Sequence, residues 1–436
     1  MVQASEIKNE ETLQAWLDAR PEDTRQREAV TLAHRAAMRV LPIWISRQRV
    51  DWPGSNAVAG LSILQGLLVS GIPEVTEAQA ALTIYGKMVV DRNGAALTMP
   101  RHWSANPRKQ INLETFGDVA AQNAVRSANC AFSSVITHFP HEIEKHLATG
   151  ISASVAAIGT AAAQWDVGIS VSLSEFWDSI RNDLISIEER RAPLRSPLWE
   201  RALGVNSNPL NRAQFTEKLP GWFFREWRAA AGWFRTHPGY EFWLRWYEAA
   251  LAGRPLTGDW ESHAQLLSDI ALIPDEDWKQ GAEHVAALIA EIEERYRLLA
   301  ETRRLKGELA PVVAEISPAQ IGHNNPPEAL EEAVPAKPVL IIWETLDETE
   351  RELETRRPSK PRLQQLAKVL LDASIEIARY CGQLGDKALQ KAAEEVGSSS
   401  VKWAVRIGAG SFATKMLGLD DAVRTFAEAL ARYAGG

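Results

Sequence analysis

The stretch from Tyr240 to Gly253 constrains this chain more than any other. Tyr240, Trp243, Leu244, Tyr247 and Leu251 recur at i, i+3, i+4, i+7 and i+11, which is one face of an α-helix. Gly253 and then Pro255 follow, a residue at ease in the left-handed region and a helix breaker, so the C-terminus is marked twice. Trp246 stands beside that face, while Arg245 and Glu248 fall off it. A helix with so much aromatic bulk is not stable alone in water. Other helices must wrap it.

The same aromatic density extends around it. Half of the sixteen tryptophans, from Trp199 to Trp278, lie in under a fifth of the chain. The segment 221–235 is helical, with Phe223, Trp227, Ala230, Ala231 and Phe234 on one face, and Pro238-Gly239 predicts an αα-hairpin to the next helix. Val285, Ile289, Ile292, Tyr296 and Leu299 alternate steps of four and three, a short coiled-coil-like seam.

Before this region, residues 10–49 read as two helices, the second carrying Ala29, Leu32, Ala33, Ala36, Ala37, Val40 and Leu41 and ended or kinked at Pro42. An apolar helix over 55–72 follows, then another opened by Pro73. Residues 115–165 are helical and rich in Ala, Ser and Gly, the composition of closely packed helices. An amphipathic helix from Asp166 to Glu189 buries Phe176, Trp177, Ile180, Leu184 and Ile187. After it, Pro311, Pro318, Pro326, Pro327, Pro335 and Pro338 break any period. A helix over 339–356 is next, and then a seam of Leu363, Ala367, Leu370, Ser374, Ile377, Cys381 and Leu384. The last helix covers 420–433.

Strand signals are scarce, so the expected fold is all-α, a multi-helix bundle assembly with a separate linked C-terminal helical module. The expected parts are an Ala-rich helical domain over 1–200 and a Trp-rich helical region packed on it over 201–305. A Pro-rich linker over 306–338 and the C-terminal helical module over 339–436 complete the chain.

Composition narrows the function classes. A formal net charge of −8 argues against bulk nucleic-acid binding. Cys130 and Cys381 cannot form a disulfide framework and read as buried free thiols of a reducing compartment. The N-terminus is acidic and polar, unlike a secretory signal. The run from Ala57 to Ile72 is interrupted by Gln65 and is shorter than the roughly 18 apolar residues of a spanning helix. A cytoplasmic protein is expected, with membrane association through a surface helix as the variant.

Motifs for catalysis fail on spacing. His138, His141, Glu142, Glu144 and His146 are dense, but a zinc-protease helix needs two histidines at i and i+4, and Lys145 occupies that position. None of the nine histidines has a Glu three residues before it, as a di-iron bundle requires. Gly408-Ala-Gly-Ser-Phe-Ala413 matches a loose dinucleotide fingerprint but lacks a βαβ unit. No cofactor, metal ligand or catalytic residue is assigned. The basic aromatic loop Pro100 to Lys109 reads as a solvated surface loop, and the tryptophan group as core packing rather than a cage for a cationic ligand.

Two stretches are candidate docking elements, the first against the alternative of an amphipathic helix folded back onto the 339–384 hairpin, the second against that of a spacer between two helical parts. In Val401 to Leu417, Lys402 and Arg406 lie one turn apart beside Trp403 and Ile407, with Phe412, Lys415 and Met416 following. Basic residues with aromatics on one helix fit a membrane-surface anchor or a partner-docking helix. In the Pro-rich segment, His323-Asn324-Asn325 before Pro326-Pro327 is a turn running into a pre-ordered extended stretch, suited to docking another protein.

The Trp-x-x-Trp-Tyr-Glu-x-x-Leu-x-Gly pattern from Trp243 to Gly253, the Ile-Gly-His-Asn-Asn-Pro-Pro-Glu segment from Ile321 to Glu328, and the C-terminal helices with small-residue runs resemble an uncharacterised bacterial family. The resemblance covers the second half of the chain and implies no substrate, activity or catalytic residue.

The leading expectation is a non-enzymatic interaction or scaffold protein whose C-terminal module docks a protein partner or an anionic membrane surface. The alternatives are a membrane-acting effector, such as a toxin or defence component, and an enzyme with an unrecognised helical active site.

Overall fold

A computed structural model describes residues 2–47, 54–72, 119–136, 140–199, 219–316, 336–394 and 419–435. Among them every regular element is a helix and none is a strand, so the protein is all-α. The chain divides into two compact units, Met1–Ala290 and Glu291–Gly436.

The first unit is built on α2 (Glu22–Ser46), reached from the short helix α1 (Glu10–Asp18). Asn9 caps α1 by accepting the Thr12 amide at 3.0 Å. Between Glu28 and Ile45 only Thr31 of α2 escapes burial, so this helix is surrounded on every side. Its wrapping includes α3 (Gly54–Ser70), α4 (Val119–Ile136), α5 (Pro140–Gln164) and α6 (Ile169–Glu188). Small residues set the closest approach. Gly150 of α5 lies against Cys130 of α4, where a Cβ would stand 3.1 Å from the cysteine Cβ. The buried hydroxyls of Ser127 and Ser154 meet at 2.7 Å across the same crossing.

Pro42 does not end α2; the helix continues to Ser46. Its missing N–H leaves the Met38 carbonyl without an intrahelical donor, and the Tyr247 hydroxyl supplies one at 2.7 Å.

Two tryptophan-rich helices, α7 (Gly221–Thr236) and α8 (Glu241–Ala252), form the expected hairpin. Gly239 turns it at φ +86°, and a Cβ there would lie 2.6 Å from the Ala282 backbone. α8 ends at Gly253 (φ +59°), with the Arg254 amide returning to the Ala249 carbonyl at 3.1 Å. The buried face of α8 is broader than the predicted stripe. Phe242 and Trp246 are buried with Trp243 and Tyr247, while Leu244 is half-exposed. The helices α9 (Trp260–Ala271) and α10 (Asp275–Trp278) follow.

A long helix, α11 (Ala282–Ile316), contributes its first turns to this unit and the rest to the second. It carries Pro311 in its interior, so residues 306–316 are helical where a linker was expected. The carbonyl that Pro311 leaves without a donor belongs to Gly307, which is exposed to water and needs no protein partner.

In the second unit α11 packs with α12 (Ala336–Glu354), α13 (Lys360–Glu394) and α14 (Leu419–Gly435). Leu305, Leu309, Val312, Val339, Ile342, Leu346, Leu363, Leu370, Val423 and Leu430 form its core. Buried Thr302, Thr345 and Thr349 return their hydroxyls to the carbonyl four residues back, at 2.6–2.8 Å, so they need no partner outside their own helices.

One end of this bundle is fixed by named contacts. Arg295 donates to the Thr355 carbonyl at 2.5 Å; Lys360 pairs with Glu291 at 2.7 Å and donates to the Tyr433 carbonyl at 2.8 Å. Further along, Lys306 reaches Asp347 and Glu350, and Arg303 reaches Glu350 and Glu354. These pairs make consecutive helices antiparallel. The C-terminus of α11 and the N-termini of α12 and α14 therefore share the opposite end. With 35 residues against 19 in α12, α13 runs on past that end by about 24 Å at 1.5 Å per residue.

Candidate functional site

The densest chemistry among the described residues lies inside the first unit, on the side of α2 facing α6. Arg35 and Arg39 are one turn apart on α2 and are 4% and 1% exposed, against 3% for Asp183 of α6. Arg35 donates through Nε to Asp183 Oδ1 at 2.7 Å, and Arg39 Nη2 stands 2.7 Å from Asp183 Oδ2. One carboxylate thus serves two guanidinium groups. Most of their remaining hydrogen bonds go to main-chain carbonyls of a single segment.

That segment is Pro193–Trp199, a 3-10 turn followed by a bent strap of chain. Arg35 donates to the carbonyls of Pro193 (2.7 Å), Ser196 (3.1 Å) and Pro197 (2.7 Å). Arg39 donates to the Leu198 carbonyl from Nε (3.2 Å) and Nη2 (3.0 Å), and to the Ser179 carbonyl at 3.3 Å. On its other side the strap meets α8: the Leu198 amide donates to the Leu251 carbonyl at 3.3 Å. A Cβ on Gly253 would stand 2.3 Å from the Pro197 nitrogen, so the glycine is required by contact as well as by φ. Buried charge is expensive unless paired and hydrogen-bonded, and here the pairing fastens a strap between α2 and α8. Burial lowers the Arg39 guanidinium to about 10, while the neighbouring Asp183 charge opposes the fall.

Aromatic rings line the strap. The Arg39 guanidinium lies 5.5 Å from the Trp199 ring centre; Trp199 meets Trp222 edge-on at 6.0 Å and Phe223 at 5.2 Å. Further rings continue the stack, with Trp227 on Tyr247 at 4.7 Å and Trp243 between Trp246 and Trp278 at 5.7 and 6.2 Å. The cations over Trp199 and Trp260 are the protein's own Arg39 and Arg195. The tryptophans pack against one another as a core.

Two smaller polar clusters belong to the same unit. Glu226, fully buried on α7, accepts hydrogen bonds from the Ser46 hydroxyl, from Arg47 and from the Trp165 indole at 2.6 Å. It ties the C-termini of α2 and α5 to α7. His34 shares a hydrogen bond with the Ser70 hydroxyl at 2.9 Å, and a Cβ on Gly71 would strike its ring at 2.7 Å. Burial, with the Arg35 charge adding to it, lowers this imidazole to about 3.

The residues singled out from sequence do not join these clusters. His323, Asn324, Asn325, Pro326 and Pro327 lie outside the described residues, as do Lys402, Trp403, Arg406, Ile407, Phe412, Lys415 and Met416. The basic loop at 100–109, the turn at Asn93-Gly94, the glycine motif at 408–413 and His138 also lie outside them. In the histidine cluster, Glu144 pairs with Arg25 at 3.5 Å, and no group of three metal-ligating side chains occurs among the described residues. Cys130 is a buried free thiol, pushed up to about 11 by burial.

Sequence reasoning missed Arg35, Arg39, Asp183 and Glu226. The signal was present: each interrupts the buried face of a helix at an apolar register position, Asp183 between Ile180 and Leu184 for example. Comparison of the chain with protein-family models, with curated proteins and with solved structures finds no match in any of the three.

Proposed function

We propose that this protein is a non-enzymatic scaffold whose C-terminal helical bundle docks a protein partner. The observation that supports the reading is topological. The connection 317–335 leaves the bundle, and the connection 395–418 rejoins it, at the end opposite the Arg295–Thr355 and Lys360–Tyr433 contacts. The first connection carries His323, Asn324, Asn325, Pro326 and Pro327; the second carries Lys402, Trp403, Arg406, Ile407, Phe412, Lys415 and Met416. The Asn-Asn-Pro-Pro stretch and the basic aromatic stretch, each in a connection that joins the bundle at that end, can engage one partner together, each raising the effective concentration of the other. Affinity purification of the tagged full chain, beside a variant with Asn324→Ala, Asn325→Ala, Lys402→Glu and Arg406→Glu, tests this. A stoichiometric protein retained by the first and lost from the second is expected. The same proteins on both sink the reading.

A second reading, a membrane-acting effector, draws on one observation. The helical segment Ile143–Gln164 is long and apolar enough to cross a membrane, with 22 residues, and half of its most apolar stretch is buried inside the protein. Buried core helices share those properties. Dye release from anionic vesicles on adding the full chain is the outcome that would favour this reading over docking.

A further inference from the structure

The helix α13 is longer than the helices that accompany it. Lys360 in its first turn donates to the Tyr433 carbonyl, and Gln364 donates to the Ala434 carbonyl at 3.3 Å, so α14 runs antiparallel to it from that end. Counting along both helices from these contacts, buried Leu430, Phe426, Val423 and Leu419 fall level with buried Leu366, Leu370, Ala373 and Ile377. Beyond Ile377 the α13 backbone stays helical to Glu394 for about 25 Å, with no other described helix of this unit alongside. A helix of that length is marginal in water on its own. Its sequence also keeps the apolar seam of the packed part, in the same four-three steps, at Cys381, Leu384 and Ala388.

The chain supplies a cover of matching length. Residues 395–418 must join the far end of α13 to Leu419, which is level with Ile377. Continued by the same count, the two arms meet near Gly397 and Ser398, where the sequence reads Gly-Ser-Ser-Ser, a turn composition. From Val401 to Gly435 there are 35 residues, as many as in α13. The α14 stripe of Leu430, Phe426, Val423 and Leu419 continues in alternating steps to Met416, which falls level with Cys381. Near the tip, Lys402 falls level with Glu394, a complementary charge. Gly408 and Gly410 weaken a lone helix, so this arm depends on packing for its form.

We propose that the projecting face of α13 is an intramolecular docking surface for residues 401–418, which return along it as the second arm of one antiparallel hairpin from Lys360 to Gly435. The hairpin needs no partner, so it stands apart from the docking reading. It sets the basic aromatic stretch on a helix braced by α13.

Thiol pairing in the full chain tests the hairpin. Met416→Cys places a thiol beside Cys381, and Thr414→Cys places one at the same level on the opposite side of the arm. Oxidised with diamide, the first should yield an intramolecular disulfide between Cys381 and position 416, found by peptide mass, and the second none. Cys130 is buried and takes no part. Should Met416→Cys not fold, alkylation of Cys381 gives the second measurement. Met416→Asp should speed it roughly tenfold over the unaltered chain, by expelling the arm from the seam. A disulfide joining two copies overturns the proposal in favour of a second chain on α13. Equal pairing at 414 and 416 overturns it too, as does no pairing together with an alkylation rate that Met416→Asp leaves unchanged.

Discussion

The Tyr247 hydroxyl donates at 2.7 Å to the Met38 carbonyl, the one that Pro42 leaves without an intrahelical donor, from 209 residues further along the chain. Both groups are fully buried, so neither can fall back on water. Burial also raises the Tyr247 phenol well above its ordinary range, which keeps it a donor. Tyr247→Phe should therefore destabilise the first unit by about 1–3 kcal/mol, the cost of an unmet buried polar group. In urea unfolding, Pro42→Ala should mask much of that loss by restoring an N–H to Met38. Full additivity of the two substitutions would contradict the assigned partnership.

Asp183 serves two arginines, so removing its charge leaves both guanidinium groups uncompensated in the core. Asp183→Asn should cost about 3–5 kcal/mol. Combined with Arg35→Met, the loss should be clearly smaller than the sum of the two single changes. Chemical denaturation of the four variants in the cycle measures the coupling.

Gly253 and Asp166 make a matched pair of backbone tests. Gly253 sits at φ +59° with Pro197 against it, so Gly253→Ala should destabilise by more than about 1 kcal/mol, through both strain and clash. Asp166 (φ 52°) and Arg190 (φ 56°) hold the same left-handed conformation with side chains attached, and they end α5 and α6. Either residue changed to Gly should raise stability by about 0.5–1 kcal/mol. A loss at Asp166→Gly would show that the carboxylate has a role beyond the turn.

Burial depresses His34 to about 3 and His263 to about 4, from the usual value near 6.5. The unfolded chain then binds these protons first as pH falls. Stability is complete above about pH 6.5 and declines with acidification until each folded value is passed. His263 accepts the Leu256 amide at 3.2 Å through Nδ1, so its neutral form is the one the fold uses. Unfolding midpoints between pH 7 and 4 should fall more steeply for the unaltered chain than for His263→Gln. Parallel slopes would show that His263 does not contribute.

The helical class was legible because apolar residues recur at helical spacing along most of the chain, and Gly253 followed by Pro255 marked the end of α8 correctly. Proline was read too strictly. Pro42 and Pro311 both sit inside helices, one matched by Tyr247 and the other opposite an exposed Gly307, and neither circumstance is visible locally in sequence. The stripe on α8 was drawn too narrow for the same reason: a helix enclosed on several sides buries Phe242 and Trp246 as well. The buried charges escaped notice because Arg35 and Arg39 find their partners about 150 residues away, at Asp183 and along Pro193–Leu198. Periodicity reports that a position is inward; it does not report that an inward arginine has a carbonyl waiting.

The most direct test of the scaffold reading is site-specific photo-crosslinking in the native host. A photoreactive residue replaces Phe412 in one chain and Glu352, near the Arg295–Thr355 contact, in another. The docking account predicts a discrete protein adduct from position 412 and none from position 352. The same adducts from both positions, or from neither, would contradict it.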